Sequence, residues 1–335
     1  MSSTMDDHGE NARNLKVSLI IPMRNEEQSI GRLLKSIQDQ IRQPDEIILV
    51  DGGSTDRTVE LARMFVADDH RFHIIEAGPA TPGRGRNVGC QVARFDWFAF
   101  TDAGIELQPN WLYELVKAAE TDPRAEVIYG NFEPIQDTFF TRCAAMSYAP
   151  PRFPMEGRLV RDPVVPSTLV RRSVMDSIGG FVDMRACEDH IMMNAISSSG
   201  FKAIRAPKAE VWWSLQPDIR RTFERFRLYS FHNVKAGRLR EWHLGVARNY
   251  FIMVALLIAA YLWYPPLAWL ALLLQAARAA KYIYQRRRGL SIIATFNPAQ
   301  FLMVFWIATV IDIATFAGWI QAWSIGIKKR TVVAS

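Results

Sequence analysis

The feature that most limits how this 335-residue chain can fold is a change of composition near residue 245. From Tyr250 to Leu274 no side chain is charged, and only Pro265–Pro266 interrupts the run. A second apolar stretch, Pro298 to Ile327, carries a single charge, Asp312. Roughly 20 apolar residues suffice to span a bilayer, so residues 244–330 read as a membrane region rather than as core helices of a soluble protein. Arg240 and Arg248 precede the first run, and Arg278, Lys281 and Arg286–Arg288 follow it. Positive residues favour the cytoplasmic side. A hairpin of 244–264 and 266–284, turning at the proline pair, keeps both groups there. A third crossing would export Lys328–Arg330 and carry Asp312 to mid-bilayer, at a cost of about 2.5–3.5 kcal/mol. The expectation for 298–327 is therefore a re-entrant or interfacial segment. A third helix, with Asp312 paired inside a bundle, is the alternative.

Ahead of that break the pattern is different. Val17–Ile21, Glu46–Val50, Phe72–Ile75 and Trp97–Thr101 read as buried strands. Glu27–Gln38, Asp56–Phe65 and Arg86–Arg94 carry helical spacing between them. Such alternation implies an α/β domain with a mostly parallel sheet, whose ligands gather at the carboxyl ends of the strands. Residues 15–215 are assigned to it. Hydrophobic residues make up 49% of the chain, too many for a disordered polypeptide. Three unclustered cysteines exclude a disulfide scaffold or a cysteine-rich zinc site. Residues 1–14 are polar and read as a frayed tail. Residues 216–243 mix arginines with Phe223, Phe226, Tyr229 and Phe231, the composition of a basic amphipathic helix lying against anionic head groups. A solvated charged helix is the plainer alternative. The partners expected there are membrane lipids; nucleic acid is not an expected partner.

Several short runs carry chemistry. The first strand leads into Pro22-Met23-Arg24-Asn25-Glu26-Glu27, and the second ends in Asp51-Gly52-Gly53-Ser54-Thr55-Asp56. Glycines after a strand let a ligand approach the backbone. Asp51 would then face a base or ribose, or else it is a turn carboxylate. Gly83-Arg84-Gly85-Arg86-Asn87-Val88-Gly89 opens a helix, where backbone N–H groups beside arginines suit a diphosphate. A dinucleotide fingerprint is set aside, because Gly78–Pro82 separates strand from glycines. Thr101-Asp102-Ala103-Gly104 follows the fourth strand, and Gly179-Gly180-Phe181 precedes Cys187-Glu188-Asp189-His190 at another helix start.

In order and spacing these runs resemble an inverting family 2 glycosyltransferase of the GT-A fold, over about residues 15–235. The resemblance implies a nucleotide-diphospho-sugar transferase domain, a Rossmann-like mixed sheet, followed by C-terminal transmembrane helices. It implies that Pro22, Glu26 and Asp51 line the nucleotide pocket and that Arg86 approaches the base or diphosphate. Asp102 corresponds to the first acid of a metal-binding Asp-x-Asp motif. Asp189 corresponds to the general base, with Glu188 beside it. The donor would be a UDP- or GDP-linked sugar and the cofactor Mg2+ or Mn2+. The acceptor would be a lipid-linked or cell-surface glycan. The reaction would be a hexosyl transfer at the cytoplasmic face of the inner membrane, by a multi-pass protein.

Two positions depart from that pattern. Gly52 stands where many relatives carry a second base-contacting Asp. Gly104 replaces the second acid of Asp-x-Asp. Either Asp102 shares an ion with a farther group such as Glu106 or a His, or metal dependence is weak. A non-catalytic binding or assembly subunit is the alternative reading that Gly104 favours. A processive polysaccharide synthase is a third, although Arg225-Phe226-Arg227-Leu228-Tyr229 lacks the Gln and Trp of its usual motif.

Overall fold

A computed structural model describes residues 15–67, 69–287 and 297–325. The expected tail 1–14, the basic end Lys328–Arg330 and the last residues of the 298–327 stretch lie outside them. The chain divides into two compact units, one of residues 1–133 and 152–214, the other of 134–151 and 215–335.

The first unit is built on one eight-stranded sheet. Its opening half alternates as the sequence predicts: β1 (Val17–Met23), α1 (Ile30–Gln38), β2 (Glu46–Asp51), α2 (Thr58–Val66), β3 (Phe72–Glu76), α3 (Pro82–Val92) and β4 (Trp97–Phe100). β3, β2, β1 and β4 lie side by side and parallel. Then come β5 (Ile105–Leu107), α4 (Trp111–Thr121) and β6 (Val127–Pro134), the last reaching the unit boundary. A small hairpin, β7 (Phe153–Met155) with β8 (Arg158–Val160), stands apart from the main sheet. β9 (Thr168–Arg171), α6 (Arg172–Ile178), α7 (Glu188–Ser198) and β10 (Ala203–Trp213) complete the unit. The sheet order is β3-β2-β1-β4-β9-β6-β10-β5, and β9 runs antiparallel to both its neighbours. The mostly parallel sheet expected from the alternation is thus parallel from β3 to β4 and mixed beyond, where β9 opposes β4 and β6 and β5 opposes β10.

The unbroken apolar runs of β1 and β2 follow from burial on both faces. Val17, Leu19, Ile21, Ile47 and Leu49 join one core with residues of α1 and α4. Ile20, Ile48 and Val50 join another with Phe98, Phe100, Phe181 and Met192. α3 needs glycine to reach this second face. A Cβ on Gly89 would lie 2.4 Å from Ile20 Cγ2. Glycine inside a helix costs about 0.5–1 kcal/mol, whereas fully burying an isoleucine contributes about 1.5–3 kcal/mol. Close approach wins.

The second unit is helical: α5 (Phe139–Tyr148), α8 (Ile219–Lys235), α9 (Leu239–Trp242), α10 (Leu244–Leu262), α11 (Leu267–Arg286) and α12 (Pro298–Ser324). α10 and α11 form a helical hairpin about Pro265–Pro266. α10 and α12 are long and apolar enough to cross a membrane by length and composition. α12 is one unbroken helix of 27 residues, so the re-entrant form expected for that stretch is replaced by a continuous helix. Asp312, whose charge argued against a crossing, is fully buried and receives both terminal nitrogens of Arg278 from α11.

Candidate active site

β1 and β2 pair with Met23 beside Asp51, so the loops that leave them run together. Asn25 takes a left-handed backbone, φ +56°, a conformation asparagine tolerates better than most residues. Its N–H donates to Ser54 Oγ at 3.0 Å, and its Oδ1 accepts from the Thr55 N–H at 2.8 Å. The Glu26 N–H donates to Thr58 Oγ1 at 2.6 Å. Asp51 is buried, and its carboxylate accepts from the N–H groups of Gly53 and Ser54 at 3.0 and 3.1 Å and from Ser54 Oγ at 2.5 Å. These bonds organise the turn that Asp51 opens. The Glu26 carboxylate accepts from Ser29 Oγ, and Pro22 packs against Gly85 of α3. Pro22, Glu26 and Asp51 therefore share one rim at the carboxyl end of the sheet.

α3 begins at Pro82, four residues before the helical pattern in the sequence. Thr81 caps it, its Oγ1 accepting from the Arg84 N–H at 3.2 Å and donating to Asp183 Oδ1 at 2.6 Å. The first turns carry Arg86 inward to 1% exposure. Its Nη2 donates to Asp102 Oδ1 at 2.6 Å, and its Nη1 to Glu188 Oε1 at 3.1 Å and Asp189 Oδ1 at 3.3 Å. The guanidinium also lies over the Phe181 ring, 5.2 Å from its centroid. The sequence places Arg86 against a base or diphosphate; the structure places it on three carboxylates. Asp102 from the end of β4 and Glu188 and Asp189 from the start of α7 are brought together on it.

The neighbouring residue completes the arrangement. Asn87 Nδ2 donates to the Phe181 carbonyl at 2.7 Å, and the Phe181 N–H donates to Asn87 Oδ1 at 2.8 Å. A side chain on Gly180 would strike this amide, at 2.6 Å from Asn87 Oδ1. Sequence reasoning named the Arg-Asn and Gly-Gly-Phe runs but not their clasp; a small residue next to the clasped one was the available signal.

One guanidinium facing three acids leaves a surplus of negative charge. Burial pushes the Glu188 carboxyl up to about 7, and the adjacent Asp189 adds to the rise while Arg86 opposes it. Burial raises Asp189 as well, with Asp102 acting in the same direction and Arg86 against. The pair therefore holds a proton well above the usual carboxylate range. A base poised near neutrality suits proton removal from a hydroxyl.

The donor set does not fit a resident metal ion. Among the described residues no group of three or more His, Cys, Asp or Glu side chains is placed to hold one. Asp102 has one oxygen on Arg86, and Glu106 pairs with Arg32 at 3.2 Å. Gly104 brings no donor, although a Cβ there would meet nothing within 4 Å. A lone carboxylate suits an ion whose remaining ligands are phosphate oxygens and water.

With this geometry in place, comparison with known proteins is decisive for the domain. Residues 18–179 match Glycosyl transferase family 2. That segment is a family 2 glycosyltransferase domain. The probable glycosyltransferase YdaM of Bacillus subtilis is 27% identical over 232 residues, 65% of this chain and 55% of that protein. The putative glycosyltransferase EpsH of the same organism is 32% identical over 108 residues, 32% of this chain and 31% of its own length. The chain thus spans about half the length of these relatives, or less. Among solved structures, the Pyrobaculum calidifontis mannosyltransferase PcManGT, in complex with GDP-Man and Mn2+, covers 93% of this chain with 89% of its own. The TM-score is 0.54 and the identity 20%. This likeness carries the fold: the family 2 domain has the GT-A architecture, with a mixed α/β sheet.

Proposed function

We propose that the chain transfers a hexosyl group, with inversion, from a UDP- or GDP-linked sugar to a lipid-linked or cell-surface glycan acceptor. The observation that carries this reading is the convergence of Asp102, Glu188 and Asp189 on the buried Arg86 within a family 2 domain. Pro22, Glu26 and Asp51 line the nucleotide side. Asp189, about one-third exposed, takes the proton from an acceptor hydroxyl. The freed oxygen bonds to the anomeric carbon from the face opposite the leaving group, and the bond from that carbon to the diphosphate breaks. Backside displacement accounts for the inversion. Glu188 and Arg86 position Asp189. Glu188 also keeps the pair's proton affinity high enough for base catalysis.

A Mg2+ or Mn2+ ion enters this reading only as one carried on the donor, with Asp102 as its contact on the protein. Bound there, it would offset charge on the diphosphate. In this reading the reaction takes place at a membrane, which the length and apolar composition of α10 support, with α10 and α11 as the inserted hairpin and the family 2 domain on the cytoplasmic side, where nucleotide sugars are made.

The test uses the full chain in detergent. Thermal stabilisation by a panel of UDP- and GDP-sugars identifies the donor. Release of nucleotide diphosphate is then compared with Asp189→Asn. The expected result is a donor that stabilises both proteins but is turned over only by the wild type. Stabilisation without turnover in either would favour the binding-subunit reading, for which the glycine at position 104 speaks.

A further inference from the structure

α12 has the highest mean hydropathy of the two candidate spans, yet its surroundings differ from those of a crossing helix. Its exposed large side chains are Leu302, Trp306, Ile313, Ile320 and Trp323, each at least half exposed. At 100° per residue the spacings of four, seven, seven and three hold all of them on one side of the helix. From Leu302 to Ile320 this apolar stripe is ~27 Å long. The opposite side carries Ala308, Ala314, Thr315, Gly318 and Ala322, all buried.

That small-residue side lies against α8. A Cβ on Gly318 would sit 2.2 Å from the Arg227 carbonyl oxygen and 2.7 Å from Ser230 Cβ. Ser230 Oγ donates to the Thr315 carbonyl at 2.6 Å, and Arg227 bonds to Gln321. These contacts span Thr315–Gln321 of α12 and Arg227–Ser230 of α8, and among the described residues no other two elements touch so extensively, so the helices run side by side rather than crossing at a point. α8 cannot enter hydrocarbon. It carries Arg220, Arg221, Glu224, Arg225, Arg227 and Lys235, and a single Arg or Lys at the bilayer centre costs about 2.5–3.5 kcal/mol on insertion scales. A helix running along it stays within about 10 Å of its depth, the usual interaxial distance. The contacts of α12 to the hairpin agree. They fall at Tyr250, Gln275 and Arg278, within two turns of the exposed Arg248 and Lys281 at the hairpin's charged base.

We infer that α12 lies in the plane of one leaflet, its Leu302–Trp306–Ile313–Ile320 stripe against the acyl chains and α8 behind it, and adds no crossing. The partner is an anionic bilayer surface. The stripe supplies apolar area, and the exposed Arg220, Arg221 and Lys235 of α8 supply charge for the head groups. Hydropathy alone misreads α12 because both of its sides are apolar, one for packing on a protein helix and the other for lipid. The inference rests on the reading of the second unit as membrane-associated and specifies how it sits.

The experiment places a nitroxide label on the full chain at Leu302→Cys, Ile313→Cys or Ile320→Cys, with Trp306→Cys in reserve should one fail to fold. Unmutated protein serves as the blank for Cys90, Cys143 and Cys187. Depth is read from oxygen and nickel accessibility in phosphatidylcholine–phosphatidylglycerol vesicles. The expected result is lipid contact at all three sites with depths agreeing to about one helical turn, ~5 Å. Depths that change steadily along the helix by most of its ~27 Å would mean a crossing and overturn the inference. Water exposure at all three sites in protein that still sediments with vesicles would overturn it too. Failure to sediment with vesicles would instead reject the membrane reading itself, and the in-plane placement with it.

Discussion

Each unit bonds an arginine to a buried carboxylate, and the two are built to different ratios. In the helical unit Arg278 meets one acid, Asp312, through both terminal nitrogens, and its Nε donates to the Tyr282 hydroxyl at 2.9 Å. Charge balances and donors are used. In the family 2 domain Arg86 meets three acids, two of them through a single nitrogen. A balanced pair has nothing further to bind. A surplus of acid raises proton affinity and leaves carboxylate oxygens for a substrate proton or a cation. The ratio, more than burial, separates a structural ion pair from a chemical site.

The largest expected effect is from Arg86→Ala, which leaves three acids facing one another. Removing one partner of a buried ion pair costs about 3–5 kcal/mol, so the variant should unfold at neutral pH well below the wild-type melting temperature. Its sign with pH is set by the raised acids. A carboxyl raised on folding binds its proton more tightly in the folded chain, so the stability it contributes is full at acid pH. That contribution is lost as pH rises toward about 7 for Glu188. Melting curves between pH 4.5 and 8 should show Arg86→Ala regaining stability at the acid end. A deficit constant with pH would deny the surplus-charge account.

Asp312→Ala should cost nearly as much, because Arg278 is left uncompensated. Replacing both residues together, Arg278→Met with Asp312→Leu, should be close to neutral, as apolar substitutes for buried pairs often are. Chemical denaturation of the single and double variants separates these outcomes. A double variant as unstable as the single one would give this pair a role beyond balance.

Asp189→Asn should lower turnover by about 10² or more and leave donor-induced stabilisation intact. Turnover of the wild type should climb with pH through the titration of the Glu188–Asp189 pair, since the base works ionised. Glu188→Gln removes the like charge and should move that acidic limb downward, toward the usual carboxylate range; an unmoved limb would detach Glu188 from the base.

Gly104→Asp has the smallest expected effect on the fold, within about 0.5 kcal/mol, because the position is open and its backbone unstrained. It should give Mn2+ a measurable affinity for the nucleotide-free protein by titration calorimetry, where the wild type has little. Equal affinity in both would reveal ligands other than Asp102.

Much of this was legible in the sequence. β1, β2 and β4 were visible as apolar runs because both of their faces are buried, and the edge strand β3 through Phe72, Ile74 and Ile75; the resemblance named Asp102, Glu188 and Asp189 as site residues. The mixed half was not, since β9 inserts between β4 and β6 through pairings such as Phe98 with Val170, far apart in the chain. The inward turn of Arg86 was hidden as well. Its neighbours Arg84 and Asn87 are equally polar, and only the helical phase set by Gly85 and Gly89 against β1 decides which one points inside. Asp312 looked costly because its partner lies a helix away.

Asn87 follows Arg86 directly, and this adjacency has a consequence for how the site fails. The amide clasp on Phe181 and the guanidinium under Asp102, Glu188 and Asp189 belong to the same turn of α3. Any rotation or fraying of that turn that releases one releases the other. The assembly is therefore cooperative, present in full or absent. A substitution of Asn87, which touches none of the three acids, that leaves one-tenth of the activity would then leave one-tenth of the molecules intact, each working at the undiminished rate.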